Sequence, residues 1–194
     1  MNHWKLVSIV CLSFFGFSFF ISSVHAQTKL NYSIFFPAPA PQTKVATEWA
    51  QEIEKRTGGK VQITMFPGGT LTPAPQCYDG VVKGISDIGM SVFAYTMGRF
   101  PLMEVMDLPL GIKSGLVATK VINELNKKFK PKELADVEVM YLHAHGPGFL
   151  HTKKAVSKVE DLKGMKIRST GLSAKIVGSL GGAPVAMAMG ETSR

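Results

Sequence analysis

Leu30-Asn31-Tyr32-Ser33-Ile34-Phe35-Phe36, an amphipathic stretch at 43–57, and Lys60-Val61-Gln62-Ile63-Thr64-Met65-Phe66 together decide the fold of this 194-residue chain. The first run is rich in aromatic and branched residues, as strands are, and Pro37, Pro39 and Pro41 stop it. In the middle stretch Val45, Trp49 and Ile53 recur every four residues with Ala46 and Ala50 beside them, which predicts a helix ended by Gly58-Gly59. The third run alternates, with Val61, Ile63 and Met65 on one face, and Pro67-Gly68-Gly69 turns the chain. Strand, helix and strand in such quick succession build a parallel sheet.

The same rhythm continues downstream. Residues 75–83 read as a short helix, 88–93 as a strand, and Ser114 as the cap of a helix running toward Phe129. A further strand is expected at 137–143, then short strands at 149–152, 166–168 and 183–186, with a helix at 173–180. The apolar, proline-bounded stretch 100–109 carries no clear period. The chain shows no internal repeat and no low-complexity tract. The whole reads as α/β with a largely parallel sheet.

Upstream, residues 1–26 have the three zones of an export signal. Lys5 supplies a basic start, an apolar run extends from Leu6 to Ile21, and Ser22-Ser23-Val24-His25-Ala26 places small residues where a signal peptidase reads. A membrane anchor needs about 20 predominantly apolar residues, and this run is shorter and broken by Ser13, Gly16 and Ser18. Cys11 follows bulky Val10, which argues against a lipoprotein. Losing Lys5 with the signal takes the net charge from +8 to +7. Cys77 is then the one remaining cysteine, so no intrachain disulfide can form. The lysines are dispersed apart from Lys127-Lys128 and Lys153-Lys154, which does not suit nucleic acid. A small anionic ligand, or a solvated basic surface, fits the charge.

Several blocks together resemble the solute-binding proteins of tripartite ATP-independent periplasmic (TRAP) transporters, the DctP-type family. They are Glu48-Trp49-Ala50-Gln51-Glu52-Ile53, Thr57-Gly58-Gly59-Lys60-Val61 with Phe66-Pro67-Gly68-Gly69, and Val82-Lys83-Gly84-Ile85-Ser86-Asp87-Ile88-Gly89. The most specific is Glu160-Asp161-Leu162-Lys163-Gly164-Met165-Lys166-Ile167-Arg168, followed by Leu180-Gly181-Gly182-Ala183-Pro184-Val185 and Glu191. The resemblance implies a periplasmic binding protein-like fold, two α/β domains hinged around a cleft. Residues 27–145 would form the first and 146–194 the start of the second. It implies a periplasmic protein that captures a small carboxylate and delivers it to the permease subunits of a membrane transporter. It also implies a chain that continues past Arg194, because the family's Glu-x-Tyr block stands here as Glu191-Thr192-Ser193, without its tyrosine. The second domain is therefore expected to be incomplete.

Arg168 is the leading candidate for the site. A guanidinium fork matches the two oxygens of a carboxylate and stays charged at physiological pH, and the resemblance assigns this arginine the anchoring role. Some relatives carry a second arginine one strand earlier. Here that place falls near Gly148 and Phe149, so a smaller ligand with Phe149 as an apolar wall is expected. Ligands of open α/β sheets lie beyond the carboxyl ends of strands. That rule adds Phe35 and Phe36 after the first strand, and Ser91, Val92, Phe93 and Tyr95 after the strand that follows Asp87. Met189 matches a bulky ligand-facing position in relatives.

No cofactor is expected. His143, His145 and His151 lack a completing ligand at metal-binding spacing, and Gly68-Gly69 lacks the lysine of a phosphate loop. No nucleophile elbow or carboxylate pair points to an enzyme. Two other readings stay open at this level. One is an exported sensor presenting an organic acid to a membrane receptor. The other is a periplasmic hydrolase or metal enzyme with its chemistry in a further segment.

Overall fold

The computed structural model describes residues 26–192, so the export signal expected at 1–26 lies, but for Ala26, outside the described residues. The first unit is a three-stranded parallel sheet in the order β2-β1-β3, with β1 at Thr28–Ile34, β2 at Val61–Phe66 and β3 at Ile88–Met90. The register of β1 and β2 runs from Thr28 opposite Val61 to Ser33 opposite Phe66. Helix α1 (Pro41–Arg56) connects them, starting on a proline whose missing N–H costs nothing at a first turn. Its buried face is Thr43, Ala46 and Ala50, and Val45, expected to point inward, is exposed. Small residues let the helix lie close to β1, while Trp49 reaches Tyr32 edge-on at 6.2 Å.

Asp87 sets the third strand. Its carboxylate accepts the Asn31 N–H at 2.7 Å while its own N–H donates to the Asn31 carbonyl at 3.0 Å. Gly89 is then required by space, because a Cβ there would stand 2.7 Å from a Val81 methyl and 3.0 Å from Cys77 Sγ. Helix α2 (Cys77–Val82) crosses behind this point. The Cys77 thiol is buried, lies 3.6 Å from the Met90 carbonyl, and is pushed up in pKa by that burial. In the folded protein Cys77 should therefore resist iodoacetamide at pH 8 and react only as denaturant opens the fold. Rapid stoichiometric labelling without denaturant would contradict this packing.

Strand β3 is shorter than the stretch 88–93 suggests, and a 3-10 turn at Phe93–Thr96 replaces its end. Stretch 100–109 contains a 3-10 turn at Glu104–Asp107. Helix α3 (Gly115–Phe129) follows Ser114, whose side chain makes no capping bond. Around it, Phe100, Met103, Ile122 and Leu134 form a second buried cluster, distinct from that of Tyr32, Ile34, Phe35, Phe36, Ala46, Ala74 and Met90.

Residues 137–143 are not a strand, contrary to their alternation. Helix α3 occupies one margin with side chains rather than a ladder. Asn123 donates to the Leu142 carbonyl at 2.7 Å and Thr119 donates to the Ala144 carbonyl at 3.1 Å. On the other margin a groove of about 490 Å³ separates this segment from β3. Residues 149–152 likewise form no strand. The last part of the chain makes a second, two-stranded parallel sheet of β4 (Lys166–Arg168) and β5 (Ala183–Val185), joined by α4 (Leu172–Ser179). Among the described residues no helix is long and apolar enough to cross a membrane.

Candidate functional site

Arg168 owes its place to the block around it. The Asp161 carboxylate accepts the Ser157 and Lys158 N–H groups at 2.9 and 3.2 Å, which closes the turn Val159–Leu162. Leu162 is buried beneath that turn. Gly164 takes a positive φ of 70°, a conformation cheap only for glycine, and its N–H donates to the Gly181 carbonyl at 2.9 Å. The chain is thereby aimed into β4, whose last residue, Arg168, stands opposite Val185 of β5.

The guanidinium is partly buried, and its Nε donates to the Met187 carbonyl at 3.1 Å. The ion pairs among the described residues are Arg56 with Glu52 and Arg99 with Asp79, so no acid neutralises Arg168 there. Its two terminal nitrogens are the groups suited to a bidentate carboxylate.

The carboxyl end of the first sheet meets this end of the second. Phe35 lies 4.0 Å from Phe36 between ring centroids and 5.2 Å edge-on from Tyr95. Val92 and Tyr95 pack against the same cluster, as does Ala188 from the stretch after β5. The Tyr95 hydroxyl accepts the Met189 N–H at 3.1 Å. Phe35, Phe36, Val92, Tyr95, Met189 and Arg168 are thus gathered around one junction, although Phe35 and Phe36 are 4% and 8% exposed and belong to the core.

Three expected residues stand elsewhere. Ser91 spends its hydroxyl on the Ala74 carbonyl at 2.9 Å. Phe93 packs 4.9 Å from Phe100 and lines the groove beside β3. Phe149, 76% exposed, lines a separate groove with Leu108, Pro109 and the α4 residues Ile176 and Val177. Two contributors were not found in the sequence. One is the Met187 carbonyl that orients Arg168. The other is Gly171, where a Cβ would come within 2.9 Å of the Ala94 Cβ.

Among the described residues no group of three or more histidine, cysteine or acidic side chains is arranged to hold a metal. His143 titrates below the usual histidine range, first through partial burial and then through neighbouring His145. Asp107 is shifted up by burial and by Glu104, against the opposing effect of His145. These groups form no site with Arg168.

Residues 32–193 match the family model described as "Bacterial extracellular solute-binding protein, family 7", DctP. A TRAP periplasmic solute-binding protein of Desulfovibrio salexigens, solved in an open form, is 40% identical at a TM-score of 0.70, over 87% of this chain and 53% of that one. A TRAP solute-binding protein of Rhodoferax ferrireducens, solved with benzoate, is 30% identical at a TM-score of 0.76, over 84% of this chain and 52% of that one. The 2,3-diketo-L-gulonate-binding periplasmic protein of Escherichia coli is 26% identical over 171 residues, which are 85% of this chain and 52% of that protein. The chain spans about half the length of each of these relatives. With the model match extending over most of its length, the chain belongs to the DctP family of bacterial extracellular solute-binding proteins.

Proposed function

We propose that this chain is the ligand-capturing part of a periplasmic binding protein that takes up a small carboxylate and hands it to the permease subunits of a TRAP transporter. It acts by binding and release, not by catalysis. The observation that carries this reading is Arg168, a partly buried guanidinium at the carboxyl end of β4 with no acidic partner among the described residues. Leaving such a group half-desolvated is unfavourable unless an anion arrives to meet it. One relative named above was solved with benzoate and another is a 2,3-diketo-L-gulonate-binding protein, which supports an organic acid as that anion. The proposed site consists of Arg168 with Tyr95, Phe35, Phe36, Val92 and Met189 at the junction.

The test is titration calorimetry of the full-length mature protein against aromatic, hydroxy, keto and dicarboxylic acids. Benzoate and uncharged benzamide provide a matched pair. Binding of at least one acid, with the corresponding amide at least tenfold weaker, is expected for an arginine anchor. Equal affinity for acid and amide would sink the reading.

Delivery in the periplasm requires export. We predict removal of Met1 to Ala26, leaving Gln27 at the new N-terminus, because Lys5, the apolar run and Ala26 form a signal with a cleavage site. Intact-mass measurement on the periplasmic fraction checks this, and a retained Met1 would overturn it.

A further inference from the structure

One short stretch after β5 is held from both sides. The Met187 carbonyl accepts from Arg168 Nε at 3.1 Å, and two residues on, the Met189 N–H donates to the Tyr95 hydroxyl at 3.1 Å. The first bond comes from the second sheet and the other from the 3-10 turn that follows β3. Tyr95 is 94 positions away in sequence, so this hydrogen bond reports on how the two sheets are set against each other.

The same 3-10 turn meets the second sheet's unit again at Ala94. Gly171, three residues beyond Arg168, has φ of 55°, and a Cβ added there would stand 3.2 Å from the Ala94 Cα. Tyr95 itself is held by its ring, edge-on to buried Phe35. Its hydroxyl is therefore presented from a rigid platform, and the peptide segment that orients the Arg168 fork is what it grips.

We infer that Tyr95 is a positioning residue, a latch whose hydroxyl sets the 187–189 stretch and through it aims Arg168 at the ligand. This deepens the carboxylate-anchor reading and rests on it for its purpose. The latch itself can be tested without any ligand. Tyr95→Phe removes the acceptor and keeps the ring packing.

The first measurement uses nitrogen-15-labelled full-length mature protein. The Arg168 Nε–H signal is assigned by its loss in Arg168→Gln. In Tyr95→Phe, solvent exchange at the Met189 amide and at Arg168 Nε–H is expected to accelerate about tenfold, the scale of one hydrogen bond. The Ile34 amide, in the buried centre of β1, should be unchanged. An unchanged Arg168 Nε–H overturns the latch, even if the Met189 amide speeds up. Equal acceleration at Ile34 also overturns it, since Tyr95 would then support the fold generally.

The second measurement is a double-mutant cycle with benzoate as probe, or with the tightest acid of the panel above. Tyr95→Phe should weaken binding by about tenfold in the wild-type background and leave it unchanged in Arg168→Gln. Additive losses would mean that Tyr95 acts on the ligand independently of Arg168, and the latch would be wrong. If Arg168→Gln alone leaves the affinity for every acid unchanged, the anchor reading fails, while the exchange experiment still decides the latch.

Discussion

Arg168→Ala in the full-length mature protein should weaken carboxylate binding roughly 30- to 4000-fold. Closure of a cleft removes the guanidinium and the ligand's carboxylate from bulk water together. Truncating one partner leaves the other desolvated and unpaired, which costs about 2–5 kcal/mol, at 1.4 kcal/mol per decade of affinity. Because Arg168 already spends Nε on the Met187 carbonyl, the fork is oriented before the ligand arrives. A flexible ammonium cannot reproduce that geometry, so Arg168→Lys should lose most of the affinity as well. The fold itself should be little affected, since among the described residues no acid pairs with Arg168. Calorimetric titration of wild type, Arg168→Ala and Arg168→Lys, alongside their melting temperatures, checks all three statements. A folded Arg168→Ala protein binding within about threefold of wild type would remove this residue from the site.

Much of this was legible in the sequence because it depends on local chemistry. The alternation of Val61, Ile63 and Met65 marks β2, and the short strand expected at 166–168 is β4, with its arginine at the strand end. What failed depended on neighbours distant in the chain. Residues 137–143 alternate, and Val137 and Val139 are indeed more buried than Glu138 and Met140, yet no ladder forms. Alternation says which side chains face inward, whereas a strand also needs a partner backbone, and here side chains of α3 take that place. Phe35 and Phe36, expected as walls because they follow a strand, stand at the junction from within the core, and no local signal marks that degree of burial. The Tyr95 bond to Met189 left no signal, since a hydroxyl and a backbone N–H pair with nothing in composition or period to mark them.

The 194-residue chain by itself should unfold over a broad range of temperature and associate as its concentration rises. Among the described residues β3 is bonded to β1 along one edge, while its other edge faces the groove toward 137–143. Phe93, Met140 and Tyr141 line that groove, and the last two are exposed, so apolar surface lies beside a strand edge that has no ladder partner. Further along, Phe149, Leu150, Met140 and Tyr141 are exposed, and β4-β5 is a sheet of only two strands. An open edge beside apolar side chains is a template for pairing with another copy, and two-stranded sheets are marginal alone. A cooperative domain of this size should absorb about 135 kcal/mol at a midpoint near 60 °C, at about 0.7 kcal/mol per residue. The van't Hoff enthalpy of the isolated chain should fall below half of that, with sedimentation showing growing mass as concentration increases. Cys77 offers a second reading of the same property, because labelling at temperatures below the midpoint would show β3 and α2 separating before the rest. A sharp two-state transition from a monodisperse monomer, with Cys77 protected up to the midpoint, would mean that the groove and the open edge cost the fold nothing.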